Sequence, residues 1–289
     1  MGELGGPVLL AVLFGACLHA GWNALIKSAT DKSLDTALIH AMGTLLAVPL
    51  LLVLGLPPVA AWPYIGLSTL IHIGYYVALA SAYRHGDLGL TYPLMRGGAP
   101  LLVALGSHAL LGESLSPSAW AGVLTVSAGV VLLGLARSGH GGSEAQRRKA
   151  MRVALCNAAI IAAYTVVDGL GVRASGNAGA YVAALFLIDG LPYLALVLWQ
   201  RRADLPAVRR YMALRWPVAA VGTVASLGSY GIALWAMTRA PVATVAALRE
   251  TSVLFAAVFG TLLLRERFGW QRAAGTVVIV AGVMALRLA

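Results

Sequence analysis

Residues 92–131, YPLMRGGAPLLVALGSHALLGESLSPSAWAGVLTVSAGVV, and residues 245–284, VAALRETSVLFAAVFGTLLLRERFGWQRAAGTVVIVAGVM, carry the same landmarks at an offset of 153 positions. Arg96 falls on Arg249, Glu113 on Glu266, Gly122 on Gly275 and Gly129 on Gly282. Leucine and glycine matches alone carry little weight in an apolar chain. Two charged residues in register, one of them inside a hydrophobic stretch, carry much more. The offset lays the fourth apolar segment on the ninth and the fifth on the tenth. An odd number of spans in each half then forces the halves to cross a membrane in opposite senses, as in secondary transporters with inverted repeats.

The remainder of the chain agrees with a membrane as solvent. Of its 289 residues 60% are apolar and 11% charged, with a mean hydropathy of +0.83. A soluble domain needs about 25% charged residues to face water. The apolar blocks are long enough to cross about 30 Å of hydrocarbon as helix, and lipid leaves backbone amides no partner outside a helix or a closed barrel. Segments such as Val123–Leu133 are apolar all round and lack the alternation of barrel strands. The expected fold is an all-α integral membrane protein of about ten transmembrane helices in two five-helix inverted repeats. The spans are expected near 7–27, 35–56, 62–83, 89–112, 116–137, 151–171, 179–200, 216–238, 241–264 and 268–287. Residues 1–137 and 151–289 form the two repeats, joined by a basic loop at 138–150, and residues 201–216 form the other long loop.

The net charge of +10 is that of cytoplasmic loops, not of a nucleic-acid surface. The densest run, Arg147-Arg148-Lys149, is too short for such a patch. Cys17 and Cys156 both fall inside expected helices, so no disulfide framework is indicated. Residues 1–6 contain no Lys or Arg, and the first apolar segment reads as a retained span instead of a signal peptide.

The repeated ends Leu110-Leu111-Gly112-Glu113 and Leu263-Leu264-Arg265-Glu266 each precede a Gly-rich segment. With His19-Ala20-Gly21-Trp22-Asn23 and Tyr92-Pro93-Leu94-Met95-Arg96-Gly97, the chain resembles the EamA-type families of the drug/metabolite transporter superfamily along essentially its whole length. The resemblance implies a multi-pass inner-membrane transporter and is uninformative about cargo, because such families move amino acids, other metabolites or sugar phosphates. It also implies that the glycines of helices 5 and 10 form a dimer or inter-half seam, so a homodimer is a possible assembly.

The loops after helices 1, 3, 5, 7 and 9 carry 16 Lys and Arg, against 3 on the other side (Arg173, Arg239 and Arg287), leaving aside Arg96 and Arg249. The positive-inside rule puts the rich side in the cytoplasm and both termini in the periplasm. Family members with cytoplasmic termini make this a departure from the resemblance.

A charge inside the bilayer calls for a partner or a purpose. Arg96 shares a helix face with Tyr92 one turn away, and a guanidinium can grip a carboxylate or phosphonate with paired hydrogen bonds. Arg96 is therefore the expected anchor for the cargo's negative group, with a structural tie between helices as the equal alternative. Arg249 is weighed toward the structural role because Glu250 is adjacent. Helix 1 adds His19, Trp22 and Asn23 on one face; helix 3 adds His72, Tyr75 and Tyr76; helix 6 adds Asn157, Tyr164 and Asp168. Such stripes are usually packing or interfacial belts, yet His, Asn and Tyr hydroxyls mixed into them suit a cavity better than lipid. Glu250, ranked as the deepest acid, and Asp168 are candidate coupling carboxylates. Asp189 and Tyr193 on helix 7 are ambiguous, and His40 and His108 read as core or interface. Glu113 and Glu266 read as caps or ion pairs at span ends.

The substrate-binding set is thus Arg96, Tyr92, Trp22, Asn23, His19, His72, Tyr76, Tyr164 and Arg249. The leading function is a secondary transporter, exporter or exchanger, of a small anionic or zwitterionic metabolite such as an amino acid. A lipid-carrier flippase of the same fold is the alternative. A membrane-embedded enzyme ranks below both, because no H-E-x-x-H is present and His19, His72, His85 and His108 show no metal-ligand spacing; the absence of G-x-x-x-x-G-K-[ST] argues against ATP drive. No cofactor, metal or nucleic acid is expected; the partners are a small-molecule substrate and membrane lipid.

Overall fold

The computed structural model describes residues 5–85, 88–135, 144–264 and 269–289; of these, the side chains at 76–85, 88–93, 134–135, 144–147, 149–150, 260–264 and 272 lie outside the description. The described chain is helical throughout: α1 (Gly6–Lys27), α2 (Lys32–Leu54), α3 (Trp62–His85), α4 (Leu88–Leu111), α5 (Pro117–Leu135), α6 (Glu144–Ser175), α7 (Ala178–Gln200), α8 (Leu205–Met237), α9 (Val242–Arg249), α10 (Ser252–Leu264) and α11 (Trp270–Arg287). Seven helical stretches among the described residues are long and apolar enough to cross a membrane, and Pro117–Leu133 and Ala273–Arg287 are shorter apolar helices. Their outer faces are apolar too: Leu45, Leu52, Val53, Leu105 and Val277 are all largely exposed. An aqueous protein would not present so continuous an apolar shell. This is a multi-pass membrane protein.

Local chemistry sets the turns. Asp31 caps α2 by accepting from Leu34 N–H, and Asn177 caps α7 by accepting from Ala180 N–H. Gly112 follows α4 at φ 65°, a left-handed conformation that costs glycine little. Glu113 and Arg173 pair at one end of the molecule, and both bond to the α8–α9 turn. At the opposite end Arg201 pairs with Asp31 at 2.7 Å and Arg215 with Asp35 at 2.5 Å, tying α2 to α7 and α8.

Packing runs mainly between the two halves. Helix α1 lies against α8, α9 and α10, and α6 lies against α3 and α4; α2 pairs with α7, and α5 with α11. The α5–α11 contact is made by glycines. A Cβ on Gly129 would stand 2.8 Å from Ile279 N, and one on Gly282 would stand 2.7 Å from Val126 N. Gly122 and Gly275 meet Leu286 and Leu133 in the same way. Small residues let two backbones approach, and here they form the inter-half seam named among the sequence expectations.

Three boundaries differ from expectation. The segment expected as a loop at 138–150 is helical from Glu144 onward, and α8 begins at Leu205, inside the expected loop at 201–216. Both extensions are polar helix leaving the apolar zone, which hydropathy does not register. The span expected as one helix at 241–264 is two, because the chain tightens at Glu250-Thr251. There Glu250 N–H and Thr251 N–H bond three residues back, to Ala247 and Leu248. Thr251 Oγ1 also donates to the Leu248 carbonyl, at 2.7 Å, a side-chain bond that competes with the helical ladder.

Candidate functional site

A cavity of about 920 Å³ lies between α1, α2, α3, α4, α6, α7, α8 and α9. It runs from Arg96 and Glu250 to Lys32 and Gln200, so it reaches the end of the molecule where α1 turns into α2 and α7 turns toward α8. Toward the other end the space is filled by fully buried Val172, Tyr181, Val242 and Val245.

Of the substrate-binding and coupling residues expected from sequence, eight line this space: His19, Trp22, Asn23, His72, Arg96, Tyr164, Arg249 and Glu250. The side chains of Tyr76 and Tyr92 lie outside those described. Asp168 is not in the lining. Its carboxylate is fully buried behind the wall, accepting from Tyr181 Oη at 2.9 Å and from Tyr230 Oη. Its side chain is fully enclosed by protein, whereas Glu250, the other candidate coupling carboxylate, is 5% exposed. Asn157, on the same helix, is likewise buried outside the lining.

The ionic arrangement at the deep end differs from a simple adjacency of Arg249 and Glu250. Consecutive helical residues point about 100° apart, and it is Arg96, on α4, whose Nε stands 3.0 Å from Glu250 Oε2. Arg96 Nη2 also donates to Ser252 Oγ at 3.2 Å, beyond the break between α9 and α10. Arg249 instead lays its guanidinium over the ring of Tyr230, 5.2 Å from the centroid, a cation–π distance. No hydrogen bond or ion pair among the described residues engages it.

Aromatic groups line the walls. His72 stacks on Tyr164 at 4.3 Å, with its Nδ1 within hydrogen-bond distance of the Ser68 carbonyl, and Tyr75 meets the other edge of Tyr164 at 6.1 Å. Trp22 meets His19 edge to face at 5.4 Å. Asn23 Nδ2 donates to the His19 carbonyl at 2.7 Å. A second polar wall joins His40, which reads from sequence as core or interface, to the ambiguous pair Asp189 and Tyr193: all three line the cavity, from α2 and α7, with the His40 and Tyr193 rings 5.8 Å apart. Lys32, Thr36 and His40 are spaced by four, a polar stripe through an apolar helix, and that was the available signal. The lining carries Lys32, Arg96 and Arg249 against Asp189 and Glu250, one positive charge in excess with the histidines neutral.

The EamA-like transporter family model matches residues 148–288. The second half of the chain is thus similar to the EamA-like transporter family. Those 141 residues hold α7 to α11 and nearly all of α6, so Tyr164, Asp168, Asp189, Tyr230, Arg249 and Glu250 all sit in the EamA-like part. Members of that family are transporters, not enzymes. A solved chain described only as "Crystal structure of protein" is similar at a TM-score of 0.73 and 20% identity, over 97% of this chain and 95% of its own. At that identity the likeness speaks for the fold alone. No match occurs among curated proteins.

Proposed function

We propose that the chain is a secondary transporter of the inner membrane, moving a small anionic or zwitterionic metabolite, such as an amino acid, by alternating access. Ten spans in two inverted halves are part of this reading, with α9 and α10 together forming the ninth. The exchange of packing partners supports it. Helix α1 on α8 answers α6 on α3, α1 on α9 and α10 answers α6 on α4, and α2–α7 and α5–α11 each answer themselves. A two-fold axis in the membrane plane produces such a pattern.

The observation that carries the cargo assignment is Arg249. Its guanidinium faces the cavity over Tyr230 with no hydrogen-bond partner among the described residues, whereas Arg96 already holds Glu250 and Ser252. The negative group of the cargo docks on Arg249, and Arg96 assists from the facing helix. His19, Trp22, Asn23, His72 and Tyr164 enclose the remainder, with Tyr76 and Tyr92 on the adjoining helices. Glu250 and Asp168 are the carboxylates available for ion coupling. Charge bias in the loops makes the open end of the cavity cytoplasmic.

Uptake and counterflow of radiolabelled amino acids, organic acids and phosphonates in proteoliposomes test the proposal. The intact protein is expected to move at least one class. Lysine lacks the planar fork, so Arg249→Lys is expected to remain folded and to lose about tenfold or more of that flux. Full flux in Arg249→Lys would remove the anchor. Transfer of lipid-linked cargo only would replace the metabolite reading with a flippase.

A further inference from the structure

The closed end of the cavity is held by a latch in which Glu113 and Arg173 act as one unit. Arg173 Nη2 meets Glu113 Oε1 at 2.5 Å, Arg173 Nε donates to the Met237 carbonyl at 2.9 Å, and Arg173 Nη2 donates to the Ala240 carbonyl at 3.3 Å. The other carboxylate oxygen, Glu113 Oε2, accepts from Val242 N–H at 2.9 Å. Glu113 and Arg173 belong to the α3–α4–α6 side of the cavity. Met237, Ala240 and Val242 belong to the α8–α9 turn on the facing side, packed with α1. Every one of the three backbone bonds therefore crosses from one side of the cavity to the other.

The latch positions the plug as well. Val242 is fully buried, and a Cβ on Gly169 of α6 would lie 2.7 Å from its Cγ2, so the valine side chain occupies a notch that only glycine leaves. Val242 is also the first residue of α9, where unpaired N–H groups favour a carboxylate. The last residue of α9 is Arg249. Eight helical residues form a rod of about 12 Å, with the latch at one end and the proposed cargo anchor at the other.

We infer that Glu113 and Arg173 are the gating residues of the closed face, and that α9 transmits cargo engagement at Arg249 to their release. The inference rests on the alternating-access reading. Opening this face exchanges the three backbone bonds for water, which is a balanced change only while the freed groups are solvated together.

Cysteine accessibility tests it without a known cargo. In a chain with Cys17→Ala, Cys156→Ala and Ser226→Cys, the single thiol lines the cavity and reports which face is open to a membrane-impermeant maleimide. The parent is expected to label from the α1–α2 face. Glu113→Gln is expected to raise labelling from the opposite face about tenfold, the equivalent of losing one charge-assisted bond. Arg173→Lys keeps the ion pair without the fork that reaches two carbonyls, and is expected to show a smaller rise. It also retains the buried charge balance, should Glu113→Gln fail to accumulate. Unchanged opposite-face labelling in membrane-inserted Arg173→Lys and Glu113→Gln, with parental uptake, would overturn the latch and leave transport standing. Raised labelling with no uptake of any cargo by the parent would keep the latch and remove the transport reading.

Discussion

Arg96 and Glu250 hold each other where α9 gives way to α10, and each is costly to leave alone in a low-dielectric interior. Arg96→Ala strands a carboxylate that is only 5% exposed. It is expected to lower stability by about 3–5 kcal/mol and to reduce membrane abundance. Arg96→Ala with Glu250→Ala removes both charges and is expected to restore much of that abundance without restoring flux. Fluorescence-detected size exclusion of the two variants separates these effects. If Arg96→Ala alone accumulates normally, the pair is no tie between α4 and α9. Sequence made both side chains visible as charges inside apolar segments, but not their partnership, because partners from different helices meet only through packing. Arg249 was weighed toward scaffold for the same reason. Adjacency along the chain stood in for adjacency in space, and helix geometry turned the two side chains apart.

At the scale of elements, the glycines of α5 and α11 set how close two backbones come. A side chain on Gly129 would strike the backbone of α11 itself, which has no rotamer with which to yield. Gly129→Leu is therefore expected to cost several kcal/mol through overpacking, about 1–3 for a yielding neighbour and more for a backbone one, and to lower the melting temperature in detergent. Gly66, which a Cβ would leave with nothing within 4 Å, provides the control: Gly66→Ala is expected to be nearly neutral. Unaltered melting of Gly129→Leu would mean that the seam opens without penalty. These glycines were legible because their period repeats across the 153-residue offset, and helix existence was legible because hydropathy is a long-window signal. The helix break at Glu250-Thr251 was not, since one charged residue and two hydroxyls in an apolar run leave hydropathy almost unchanged. The cavity contribution of α2 was not legible because His40 alone reads as core or interface, and that of α7 stayed ambiguous because the Asp189–Tyr193 spacing gives a shared face but not what the face meets.

For the whole molecule, the distribution of basic residues predicts that the end bearing Lys32, Arg201 and Arg215 faces the cytoplasm. Alkaline phosphatase fused after Ala289 is expected to be active and green fluorescent protein dark; bright fluorescence there would invert the topology and leave the packing untouched. The dominance of contacts between halves also bears on how the chain is made. Helices α1, α2, α3 and α5 find their main neighbours among α6 to α11, which a ribosome reaches only later. At about 5–20 residues per second, synthesis of the second half takes roughly 7–30 s. Through that interval Asp35 waits for Arg215, Glu113 for Arg173, and Arg96 for Glu250, each a charge beside or within lipid with its counterpart not yet translated. The newborn first half is a client for whatever at the insertion site shelters polar helices, and a stop codon after the fifth helix should leave it to the membrane proteases.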